Sequence, residues 1–458
     1  MKTDRRGLPL TTGSDDAVAH FDAAVEEFAG FKPEPMACVK RALAADPGLV
    51  MAHCLRGCFF VMMGVPAVRP KAAQHLASAQ AGEATPREQA HVAALGAWLA
   101  GDLTGAVRRW DDILVDHPTD LLALRLAHGF YFDLGDRQNL RDSAARALPA
   151  WDADLPGYGY VLGMHAFGLE ECGDYAAAES AGRRAVEIDP RDIWSVHAVA
   201  HVMEMQGRQR DGIDWLSGLE PHWTRCNFFV HHVWWHQALF HLEREQRDAA
   251  LAIYDQRVRD DFSEIVYDMI DAASLLWRLE LCGVDVGGRW AELADKSEAR
   301  VGDHIDAFSD AHFMMCLAGA GRGDAAENLV GSMGEYAATR DVTMAPIMRE
   351  VGVAACEALA AFRAGEYGRA VELLLPVRYA LHRIGGSHAQ RDLFAQMLIV
   401  AALRDGRFAL ARALLAERTA LKPASAPSWR WTAEALDGLG EQSAAADARA
   451  QADAVLAN

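Results

Sequence analysis

What most constrains this chain is a glycine turn that keeps returning. Gly64, Gly101, Gly135, Gly173 and Gly207 stand 37, 34, 38 and 34 residues apart, and three of them are followed by Asp. A period near 34 belongs to a helix–turn–helix unit that can bury its apolar face only against the next unit. The run from Gly159 to Pro190, GYVLGMHAFGLEECGDYAAAESAGRRAVEIDP, spells out one whole unit. Ala166 is small where two helices must approach. Gly173 ends the first helix and Asp174 caps the second. Pro190 fixes the turn into the following unit. The closing pairs Asp46-Pro47, His117-Pro118 and Asp189-Pro190 fall 71 and 72 residues apart, two units each time.

Weaker turns continue at Glu245, Gly283, Gly323-Asp324, Gly365-Glu366 and Gly406. No segment alternates with period two between turn residues, so almost no β-strand is expected. The predicted fold is all-α: a right-handed α-solenoid of about ten tetratricopeptide-like helical hairpins, curled around a central groove. Residues 1–13 read as a loose arm and 14–458 as a single superhelical domain. Within it, 14–245 holds regular repeats, 246–423 longer divergent ones, and 424–458 a C-terminal cap.

Several runs are not generic repeat sequence: HAVAHVMEMQGR (197–208), NFFVHHVWWHQALFHLE (227–243), DMIDAASLLWRLEL (268–281), FSDAHFMM (308–315) and LHRIGGSHAQRDLF (381–394). Through them the chain resembles the tetratricopeptide repeat protein 38 family. The resemblance implies a helical-repeat fold and lends no mechanism.

The formal charge is -19 and Lys and Arg are not clustered, which argues against nucleic acid and against an anionic membrane surface. The longest apolar run, Cys58 to Val68, is about half of what a bilayer span needs. Eight cysteines without a CxxC, set among Ala, Leu and Met, read as reduced thiols of a cytoplasmic protein. A homodimer is left open.

The chemistry concentrates between Trp194 and Leu242, where tryptophans and histidines crowd two short segments. Counted from the turn at Gly207, His197, His201 and Glu204 share one face of a first helix, within about 60° of arc. Counted from Glu245, His232, Trp235 and His236 face the same way from the next repeat, about 9–10 Å off. Imidazoles with a carboxylate can move protons. Histidines at i and i+4 with a carboxylate at i+7 can also hold a divalent ion. Yet Ala198 stands where HExxH needs its Glu, and His201 precedes Glu204, so no residue is assigned as a metal ligand and the cofactor stays unknown.

The expectation is binding of a small polar ligand or short peptide in this His/Trp/Glu-lined pocket. The alternative is an enzyme using the cluster for acid–base or metal-assisted chemistry, and a third reading leaves these side chains as ordinary groove lining. His201, His232, His236 and Glu204 are the catalytic candidates. His197, Trp235, Asp271, His388 and Arg391 are the ligand contacts, with the 385–392 loop expected to reach the histidines. Asp310 and His312 read as a helix cap and a first-turn residue.

Overall fold

The computed structural model, which describes residues 1–457, is helical nearly throughout. Among the described residues the only strands are Lys2–Thr3 and Pro9–Leu10, an antiparallel pair with Lys2 opposite Leu10. This corrects the loose arm. The Arg6 guanidinium is buried and meets Asp22 at 2.8 Å, Leu8 and Leu10 are buried, and the Thr11 hydroxyl donates to Glu88 at 2.6 Å. An apolar pair and a buried ion pair hold down a segment whose sequence lacks helical periodicity.

Consecutive helices pack as hairpins, for example Tyr158–Glu171 with Tyr175–Ile188 and Ala426–Gly438 with Gln442–Ala457. The turns are where the glycine period put them. Gly64, Gly101, Gly135, Gly173, Gly207, Gly283, Gly365 and Gly406 all take φ between 62° and 88°. That left-handed residue ends a helix and turns its last carbonyls toward the next N–H groups, and glycine adopts it without a Cβ clash. Glu245 does the same at φ 57°, with a Cβ. One expected turn is displaced: the left-handed residue is Gly321 at φ 72°, and Gly323 already opens helix Gly323–Thr339. Aspartates start the following helices, with Asp102 accepting from the Gly105 N–H at 2.8 Å and Asp136 from the Asn139 N–H at 3.1 Å.

By its internal contacts the chain groups into two compact units. The first comprises 1–199, 219–230 and 340–345; the second comprises 200–218, 231–339 and 346–458. In the first, helices cross closely at Gly168, where a Cβ would sit 2.5 Å from Arg141 Cα. Its aromatic centre stacks Phe31 on Trp194 at 5.3 Å, with the Arg125 guanidinium 4.5 Å from the Phe31 ring. In the second unit, early and late segments meet: Gln209 Nε2 donates to the Ala424 carbonyl at 2.8 Å, and Arg430 pairs with Glu245 at 3.2 Å. Among the described residues no helix is long and apolar enough to cross a membrane.

Candidate functional site

Helices Ile193–Gln206, Phe229–Glu243 and Val266–Leu281 carry the residues in question. In the second unit, His201 and His236 are fully buried, with ring centroids 4.4 Å apart. His232 stands edge-on to His236 at 4.8 Å. One ring nitrogen from each of the three lies within 4.8 Å of the others. His232 Nδ1 donates to Asp271, at 2.9 and 3.0 Å from its two oxygens. That bond aims Nε2 the other way. Trp235 stacks on His232 at 5.2 Å and donates its indole N–H to Ser274 Oγ at 2.8 Å, so it is held from both sides.

Burial pushes the His236 imidazolium far below the usual histidine range. The neighbouring His201 and His232 and the cations Arg278 and Lys422 add to that effect. His236 is therefore a neutral donor at physiological pH. Asp271 is pushed up by burial, and His232 partly reverses this.

An ion-pair layer joins these helices to helix His388–Arg404 and to the end of helix Phe408–Leu421. Lys422 Nζ meets Glu204 at 3.0 Å and Glu243 at 3.6 Å. Arg278 lies over the Trp235 ring at 5.2 Å and donates to the Ala389 and Gln390 carbonyls at 2.8 and 3.1 Å. Arg418 pairs with Asp392 and donates from Nε to Ser428 Oγ at 2.8 Å. Arg418 holds the Asp392 carboxyl well below the usual range against the opposing effect of burial. Between Glu204, Glu243, Arg278, Asp392 and Arg418 a cavity of about 20 Å³ remains, room for a water or an ion.

The expected residues are distributed as follows. Glu204 pairs with Lys422 rather than with a histidine. His197 belongs to the first unit and packs against Trp194, Phe167 and Phe229 at 5.0–5.4 Å. The 385–387 segment is a cap: Ser387 and Gln390 form a capping box on helix His388–Arg404. Arg391 turns back to the Gly385 carbonyl at 3.4 Å and to that of Gly386. His388 starts that helix and is half-buried. This stretch brings Asp392 and the Ala389 and Gln390 carbonyls to the ion pairs. The cap expected at Asp310 is supplied by Asp306, whose side chain accepts from the Ser309 N–H at 2.6 Å. Sequence reading missed Arg278, Arg418 and Lys422. For Arg278 there was a signal: a guanidinium inside the apolar run ASLLWRLEL needs buried acceptors.

The fold and this site define an all-α helical-repeat protein of tetratricopeptide type with a buried imidazole and ion-pair cluster. No family model matches the chain. Among solved structures it is similar to a human IFIT1 dimer with PPP-AAAA, at 12% identity over 94% of this chain and 95% of that one, TM-score 0.41. It is also similar to a monomeric IFIT1 mutant with Gppp-AAAA, at 12% over 97% and 96%, TM-score 0.39. A third is Naa15/Naa10 bound to HypK-THB, at 13% over 96% and 89%, TM-score 0.24.

Two expectations are corrected here. Excluding nucleic acid does not stand, because structures to which this chain is similar hold PPP-, Gppp- and m7Gppp-AAAA oligonucleotides. A charge of -19 is summed over the whole chain and does not describe any local surface. The small polar ligand or short peptide is withdrawn on the same comparison, which supports the acid–base enzyme offered beside it no better. The cavity bordering Glu204, of about 20 Å³, also has no room for an organic molecule.

Proposed function

We propose that the chain is a helical-repeat protein that holds a divalent transition-metal ion on His201, His232 and His236. The observation that carries this is the convergence of three imidazole nitrogens within 4.8 Å, one ring being oriented by a buried carboxylate. Imidazole sets suit zinc, copper, nickel and iron more than magnesium or calcium. Three histidines with an outer carboxylate on one of them is a recurrent ligand design. Small ring rotations bring donors to the about 2.0–2.1 Å bonds such an ion requires. The low proton affinity of His236 leaves its nitrogen available without competition from protons. The resemblance to the tetratricopeptide repeat protein 38 family belongs with this proposal as a statement of kinship and adds no chemistry to it.

The test is titration of chelator-treated protein with Zn²⁺ and Co²⁺, read by calorimetry and by the visible spectrum of bound cobalt. One ion per chain is expected, with loss of binding in H232A/H236A at unchanged helical content. D271N should bind about 10–100-fold more weakly, the usual effect of removing an outer carboxylate. Absent uptake, or uptake unchanged in the double variant, overturns the proposal.

A further inference from the structure

Away from the histidine cluster, still within the second unit, three residues of different elements line up. His304 lies in the segment before helix Ala307–Gly319, Asp310 lies on that helix, and Ser332 lies on helix Gly323–Thr339. His304 Nδ1 is 3.0 Å from Asp310 Oδ2, and His304 Nε2 is 2.7 Å from Ser332 Oγ. Both edges of one imidazole are thus engaged, a carboxylate on one side and a hydroxyl on the other. The carboxylate accepts a hydrogen bond from Nδ1–H, which leaves the Nε2 lone pair facing the serine O–H. Asp310 is fully buried and His304 nearly so, whereas Ser332 is half-exposed. The base and its orienting group are inside and the hydroxyl opens outward. Gly331 and Gly334 flank it, and a Cβ built on either meets nothing within 4 Å, so the helix surface beside the hydroxyl is bare. His304 itself sits at φ 45°, a left-handed conformation that a side chain rarely adopts.

We infer that Ser332 is a nucleophile activated by His304, with Asp310 as the positioning residue, and that it reacts with activated acyl and phosphonyl groups such as aryl esters. The step balances without another reagent. Ser332 Oγ attacks the carbonyl carbon while its proton passes to Nε2. The tetrahedral adduct collapses, the bond to the leaving oxygen breaks, and that oxygen takes the proton from Nε2. Water then adds to the acyl-serine through the same base, giving carboxylic acid and free serine. The N–H groups around Ser332 are spent inside its helix, so backbone stabilisation of the oxyanion is not available from them. The expected behaviour is therefore selective covalent capture with slow turnover. Burial pushes the Asp310 carboxyl up to about 6; His304 opposes this, and Asp306 and Asp303 reinforce it. The groups facing it are thus His304, Asp303 and Asp306, together with the buried thiol of Cys356, which feels its charge. Below that pH the protonated carboxyl holds the ring less firmly, and capture should slow.

The experiment is incubation of the full chain with a fluorophosphonate probe, followed by peptide mass spectrometry and by the time course of p-nitrophenyl acetate acylation. Ser332 should be the labelled serine, and S332A should abolish the adduct. H304Q should slow labelling on the order of a hundredfold, the usual contribution of a general base. D310N, at an unchanged melting temperature, should slow labelling at neutral pH, because the ring is no longer held by a carboxylate. S332C, which keeps the packing, should alkylate faster with His304 present than in H304Q/S332C. Labelling elsewhere only, or at Ser332 with a rate indifferent to His304, overturns the inference. Neither result bears on metal uptake by His201, His232 and His236.

Discussion

Lys422 Nζ reaches Glu204 at 3.0 Å and Glu243 at 3.6 Å, and all three side chains are buried. Burial works against the ammonium, but the two carboxylates outweigh it and hold the lysine above its ordinary range. Removing the cation strips Glu204 and Glu243 of their direct partner, so K422M should cost about 3 kcal/mol in chemical denaturation. K422M/E204Q/E243Q should recover part of that, because neither carboxylate is then left charged without Lys422. The pH dependence follows from a folded-state pKa raised above the unfolded one. The contribution of Lys422 is complete below about pH 10 and is lost as pH rises from there through the raised value. The difference between wild type and K422M should therefore narrow only at strongly alkaline pH. A constant difference across that range would refute the pairing.

The helices can be followed further in the sequence than the site can. A left-handed residue at a hairpin turn favours glycine for a local steric reason, so the glycine period exposes most of the repeats directly. Glu245 was legible only because the period required a turn there. Sequence gave no means of pairing Glu204 with Lys422, 218 positions away, because that contact depends on how the second unit closes. His232, His236 and Asp271 were visible as members of one pocket, but the pairing of Asp271 with His232 was not, because the two lie on different helices. Close helix crossings are similarly hidden. Gly168 and Gly218 both look like helix-weakening glycines. At Gly168 a Cβ would press on the backbone of Arg141 at 2.5 Å, whereas at Gly218 it meets nothing within 4 Å. G168A should destabilise by about 1–3 kcal/mol through overpacking. G218A should stabilise by about 0.5–1 kcal/mol through helix propensity. Equal effects in thermal unfolding would mean that the crossing at Gly168 is not tight.

At the scale of the whole chain, a formal charge of -19 is easily read and decides little, since the charges that matter for the candidate site are buried and nearly balanced. What does matter at this scale is that the second unit joins residues far apart in sequence. Gln209 reaches the Ala424 carbonyl at 2.8 Å, Arg210 the Ala457 carbonyl at 3.3 Å, and Arg244 the Leu456 carbonyl at 3.3 Å. Arg430 spans Glu245 and Asp453. The hairpin Ala426–Gly438 with Gln442–Ala457 therefore acts as more than an end cap, because it fastens the first helices of its own unit. Deleting 424–458 keeps Lys422 but removes every one of these bonds. Amides in 202–212 and 239–247 should then exchange about tenfold faster or more, since losing even ~1.4 kcal/mol of local stability has that effect. The measurement is hydrogen–deuterium exchange on the truncated and full chains under the same conditions. If protection in those two segments is unchanged, the terminal hairpin does not hold the unit closed, and the burial of Glu204 and Glu243 must be maintained by the remaining helices.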